Sequence, residues 1–267
     1  MRDNPVQFAF PRPRKAVGGV MIAVTVIWVA LAISVNWVNV GYSVMQFLAG
    51  STPGVLRGEI WRLVTAPLLH DIHQPSHLIM TLLGLWFLAP SLESDWGPRR
   101  MLLFILGSGA LAFVFQVIGS LLVPSIGSQL WYGGLGFIEA IAVAWALQNR
   151  HSQVRLFFVL PVSATVLIAF IFLLSVAHVI AKNHHTPEGL ITPFGGMLAG
   201  YLFCDRSPLR RVWLKLRLRQ LEAQTAKIRR QASASAEAAR ARRAGGPALR
   251  VIEGGGSKEP PDKRYLN

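Results

Sequence analysis

Apolar residues in this chain gather into six runs, at positions 17–40, 77–92, 101–123, 133–147, 154–181 and 190–203, separated by polar segments bearing Gly and Pro. A helix needs ~20 apolar residues to cross a bilayer. Lipid offers backbone groups no water to bond, and the runs show no ten-residue alternation, so they predict helices and not barrel strands. The expected fold is an all-α polytopic membrane protein, a bundle of six transmembrane helices. Two runs, 133–147 and 190–203, are too short for a full crossing. A short helix is tolerable inside a bundle, where its end opens into protein or water, so a cavity is expected at the outer end of the fourth run. The first run lacks a small-residue cleavage site and is followed by further spans, which makes it an anchor.

Composition and charge add orientation. The chain is 52% apolar with a formal net charge of +14. Arg2, Arg12, Arg14 and Lys15 precede the first run, Arg99 and Arg100 follow the second, and Arg150 and Arg155 flank the turn between the fourth and fifth. Residues 205–267 carry 16 Lys and Arg against 6 Asp and Glu. The opposite loops hold few, namely Arg57, Arg62 and Lys182. The positive-inside rule then places both termini in the cytoplasm, consistent with an even number of crossings, and a bacterial inner (plasma) membrane is the expected location. Four segments follow: a polar arm over 1–16, a membrane domain over 17–203, a basic amphipathic helix over 204–232, and a basic tail over 233–267. In the third, Leu209, Val212, Trp213 and Leu216 fall at helical spacing among Arg and Lys, which suits anionic lipid. The tail, rich in Ala, Arg, Gly and Pro, is expected to be disordered. It shows no nucleic-acid motif and no aromatic platform, so no specific nucleic-acid partner is expected. The single cysteine, Cys204, excludes an intrachain disulfide and a site of several Cys ligands.

The segment RGEIWRLVTAPLLHDIHQPSHLIMTLLGLWFLAPSLESDWGPRRMLL (57–103) carries Trp61-Arg62, His70 and His77, and Leu92-Glu93 before Gly97. Further on, WYGGLG opens the fourth run, and PFGGMLAG holds Gly196 and Gly200 in the sixth. These features resemble the rhomboid family of intramembrane serine proteases over roughly residues 17–203. That resemblance implies a Ser in a GxSG turn at the start of the fourth helix, a His in an HxxGxxxG pattern on the sixth, and an Asn near an oxyanion hole on the second. A Ser hydroxyl needs an adjacent imidazole to become a nucleophile, and the oxyanion needs aimed donors. Here the Ser position falls on Leu135, or on Gly136 in an ungapped alignment to WFGGLSG. The His position is Pro193, which has no basic nitrogen and no backbone donor, and HxxxN ends in Thr81. Ser128, the nearest hydroxyl upstream, lies in a loop and is not a credible substitute. The expectation is a pseudoprotease without catalytic residues and without a cofactor. Inactive rhomboids and derlins, by the same resemblance, bind other membrane proteins through a lateral opening and alter their folding, trafficking or degradation.

Other residues are read on their own chemistry. Gly196-x-x-x-Gly200 offers a flat face on which Ala140 and Ala144 could pack. Trp61 and Arg62 suit a membrane interface, an amphipathic ring beside a snorkelling cation. Glu139 is acidic inside an apolar run, so it is either functional or an interior hydrogen-bonding group holding helices together. His70, His73, His77, His184, His185 and Glu188 fall on the predicted outer side, yet they share no metal-binding spacing, and no metal site is expected. His178 reads as a satisfied core histidine. Two alternatives stay open: a protease with rearranged or metal-dependent chemistry through Glu139 and the histidines, and a scaffold acting through the basic tail.

Overall fold

The computed structural model describes residues 12–126, 130–149, 153–156, 160–181, 187–205 and 207–246. The first run becomes α1 (Lys15–Asn36), the second α5 (Pro75–Trp96), the third α6 (Pro98–Leu122), the fourth α7 (Leu135–Gln148), the fifth α8 (Ala164–Ile180) and the sixth α9 (Thr192–Phe203). Between the first two lie three short helices, α2 (Gly41–Leu48), α3 (Thr52–Leu56) and α4 (Arg62–Thr65). By length and composition α1, α5 and α6 can cross a membrane, while α7 and α8 are shorter apolar helices.

The fifth run does not start as a helix. Residues Gln153–Leu156 (β1) and Leu160–Ser163 (β2) pair antiparallel, with Arg155 opposite Pro161. Pro161 forbids a helix through this point. The helix begins after Ser163, whose hydroxyl accepts the Val166 N–H at 3.3 Å as an N-cap.

Packing follows the small residues. The core joins Val17, Val20 and Val24 of α1 to Leu85, Ala89 and Leu92 of α5, to Met101 and Ile105 of α6, and to Phe137, Ile141 and Ala144 of α7. Helix α9 presses on α7 so closely that a Cβ on Gly196 would collide with the Gly136 carbonyl, and one on Gly200 with the Ala140 carbonyl. The α7 face that meets the two glycines is thus Gly136 and Ala140, one turn earlier than the Ala140–Ala144 pair read from spacing. At the other end of the bundle, both carboxylate oxygens of Glu93 accept the α1 N–H groups of Ala16 and Val17 at 2.9 Å. These are two of the donors that a helix start leaves unpaired.

The chain divides into two compact units, Met1–Trp213 and Leu214–Asn267. Helix α10 (Pro208–Ala244) begins in the first unit and continues past residue 233, where order was expected to end. The segment ASASAEAARARRA is rich in Ala and Arg, strong helix formers, and this propensity outweighs the low hydrophobicity. The rest of the tail, with Ser257, lies outside the described residues.

Candidate functional site

The segment leading into α7 is held extended by three other parts of the chain. Trp131 and Gly50 exchange two backbone hydrogen bonds, at 2.8 and 2.9 Å, and the Trp131 ring stacks on Phe113. Tyr132 N–H donates to the Pro187 carbonyl at 2.8 Å, and Gly133 N–H to the Ala66 carbonyl at 3.0 Å. Gly133 has φ +132°, and a side chain there would strike Glu188 and His77, so glycine is required on both counts.

Around this strap sits a polar cluster. His77, in the first turn of α5, accepts the Asp71 N–H on Nδ1 at 3.0 Å. Its other ring nitrogen, Nε2, therefore carries the proton and donates to the Glu188 carboxylate. The Glu188 carbonyl in turn accepts the Thr192 hydroxyl at 2.6 Å, and Gln116 of α6 accepts the Ile191 N–H at 2.9 Å. The turn into α9 is thus tied to α5 and α6. His70 lies beside His77 with ring centroids 5.1 Å apart, but neither of its nitrogens has a hydrogen-bond partner among the described residues. Its ring is buried. Burial, and then the neighbouring His77, pushes its pKa down to about 4. Burial pushes the Tyr132 phenol up to about 12, with Asp71 and Glu188 adding to the rise.

The positions at which the resemblance would put catalytic groups fall next to this cluster. Thr81 is buried, gives its hydroxyl to its own helix at the His77 carbonyl (3.3 Å), and packs against Gly134. Leu135 and Pro193 line one cavity of about 280 Å³, together with Leu88 of α5, Ile138 and Glu139 of α7 and residues of α8. Gly136 packs instead into the contact with Ala112 and Thr192. Glu139 is 3% exposed, accepts the Ser175 hydroxyl on Oε1 at 3.3 Å, and has no partner on Oε2 among the described residues. His178 is half-exposed, lines the same cavity, and bonds the Leu174 carbonyl at 2.8 Å, so it is not a core histidine.

Trp61 and Arg62 divide in role. The Trp61 ring is 38% exposed and lies against Phe47. Arg62 does not snorkel: it is 9% exposed, pairs with Glu59, and donates to the Gln46 carbonyl at 2.6 Å and the Ala49 carbonyl. Carbonyls near the end of α2 and a carboxylate hold the guanidinium where water would otherwise have been needed. Among the described residues no three His, Cys, Asp or Glu side chains gather as a metal site, while His184, His185 and Ser128 lie outside the described residues. Reading the sequence alone missed the His77–Glu188 pair, whose members are 111 positions apart, and also Gln116. The signal for Gln116 was there, a lone amide within an apolar run.

Residues 57–205 match the model of the rhomboid domain. Among characterised relatives, the chain is 34% identical over 93 residues to "Inactive RHOMBOID-like protein 8" of Arabidopsis thaliana, covering 34% of this chain and 26% of that protein. It is 39% identical over 64 residues to "Putative rhomboid protease YdcA" of Bacillus subtilis (strain 168), covering 24% of this chain and 31% of that protein. The chain therefore aligns with about a quarter to a third of the length of these relatives.

Proposed function

The chain belongs to the rhomboid family, and from that premise we propose that it is a non-catalytic member, one that binds other membrane proteins and affects their folding, trafficking or degradation. The observation that carries this reading is the pairing of Leu135 with Pro193 across one cavity. In an active rhomboid these positions would hold a nucleophile and its base. An isobutyl group and a pyrrolidine can neither attack a carbonyl nor take up a proton. Their shared cavity also favours Leu135 over Gly136 as the vacated Ser position. The frame around the site is intact, strapped at Trp131–Gly133 and tied by His77, Glu188 and Gln116. A scaffold kept in shape without chemistry suits binding. One of the two relatives carries "inactive" in its name and the other "protease", so it is the residues that decide for this chain. For a metal-dependent protease acting through Glu139 and the outer histidines, His77 is not free to serve as a ligand, since both of its nitrogens are already engaged.

Six crossings, cytoplasmic termini and a bacterial inner membrane belong to the same proposal, as does an anionic leaflet for α10, where Trp213, Leu216 and Leu221 are exposed among Arg and Lys. The test is photo-crosslinking in native membranes from probes at Leu88 of α5 and Leu174 of α8, which line the cavity. Adducts with intact membrane proteins are expected. Adducts with lipid alone would overturn the reading.

A further inference from the structure

We propose that Glu139 makes the cavity selective for transmembrane segments of partner proteins that carry a hydrogen-bond-donating side chain at its depth. The inference rests on the binding role proposed above and names what is bound. The cavity has α7 as its back wall, through Leu135, Ile138, Glu139 and Ala142, one face of the helix at successive turns. Leu88 of α5 borders it on one side, and Leu167, Ile171 and Ser175 of α8 on the other. Helix α8 packs on α7 and α9, and α5 on α1, α6 and α7; α5 and α8 share no packed interface among the described residues. Apolar side chains suited to lipid or another helix line the space between them, Leu88 on α5 and Leu174 on α8.

Within this apolar lining one group is out of place. Glu139 borders the cavity and its carboxyl is nearly fully buried, yet Ser175 satisfies only one of its oxygens. A structural tie between α7 and α8 needs that one bond and no more. The second oxygen, Oε2, lacks a partner among the described residues, and a buried polar atom left unpaired is destabilising. An occupant with a donor removes that cost, while an acyl chain has none to offer. A helix with Asn, Gln, Ser, Thr or a basic residue at the right turn does. Apolar segments would still fit, only more weakly, so Glu139 would sort clients and not admit them.

The test uses the full chain in phosphatidylcholine vesicles with fluorophore-labelled, Leu-rich transmembrane peptides of about 22 residues. A single Asn is moved stepwise along the peptide, and binding is read by energy transfer. At one depth Asn should strengthen binding about three- to twentyfold over the all-Leu parent. That gain should vanish in Glu139→Met, persist in part in Glu139→Gln, and survive in Ser175→Ala. An Asn effect independent of depth, or unchanged in Glu139→Met, would overturn the inference while leaving the binding role standing. Failure of every peptide to bind, with lipid as the only crosslinked species, would overturn both. If Glu139→Met fails to assemble, the depth scan on the unmodified chain and on Ser175→Ala decides alone.

Discussion

His70 and His77 lie side by side in opposite states of satisfaction, and each makes a prediction at the scale of one residue. His77 holds Glu188 and the Asp71 N–H, so His77→Ala should lower the aggregation temperature in detergent strongly, on the order of 3 kcal/mol for a broken buried pair. Glu188→Gln keeps an acceptor for Nε2–H and should cost clearly less than Glu188→Ala. His70 is depressed from 6.5 to about 4 in the folded protein, so between these values the unfolded chain binds more protons. Stability from this group is present above about pH 6.5 and is lost as the pH falls toward 4, at most about 3 kcal/mol. Thermal scans across that window should show a shallower slope in His70→Leu, because its ring nitrogens have no described partner to lose. An unchanged slope would mean that His70 is not the titrating group. Little of this could be read in the sequence. The two histidines stood out by motif, but which one is bonded depends on Glu188, over a hundred residues away.

At the scale of elements, the apolar runs marked α1 and α5 to α9, because a hydrophobic stretch in lipid leaves the backbone one choice. The short helices α2–α4 escaped, being eight residues or shorter and held by tertiary bonds such as Arg62 to the Gln46 and Ala49 carbonyls. The strand pair β1 and β2 escaped as well, hidden at the start of an apolar run although Pro161 was in plain view. The close approach of α9 to α7 was legible as Gly196-x-x-x-Gly200, but its register was not, since Gly136 is too small to register as a contact residue. A Leu at Gly196 or Gly200 must displace backbone, not a flexible side chain, and should reduce abundance and raise aggregation in detergent severely. Leu135→Ala and Thr81→Ala should change either property far less. Equal tolerance at Gly200 and Thr81 would contradict the packing described.

For the molecule as a whole, the basic excess of residues 205–267 remains the strongest orientation signal. With Cys204 replaced, Ser43→Cys in α2 should react with an impermeant thiol reagent on intact cells, and Ser233→Cys in α10 should be protected until the membrane is opened. A reactive position 233 would invert the proposed topology. The family was legible from Trp61-Arg62, His77 and the glycines, and the proposed loss of the dyad rests on Leu135 and Pro193. The cavity joining those two positions needed the fold. Labelling with a fluorophosphonate probe tests the proposed catalytic silence most directly. The purified full-length chain should remain unlabelled at probe concentrations that label an active rhomboid serine, and labelling that disappears on replacing a single Ser would contradict it.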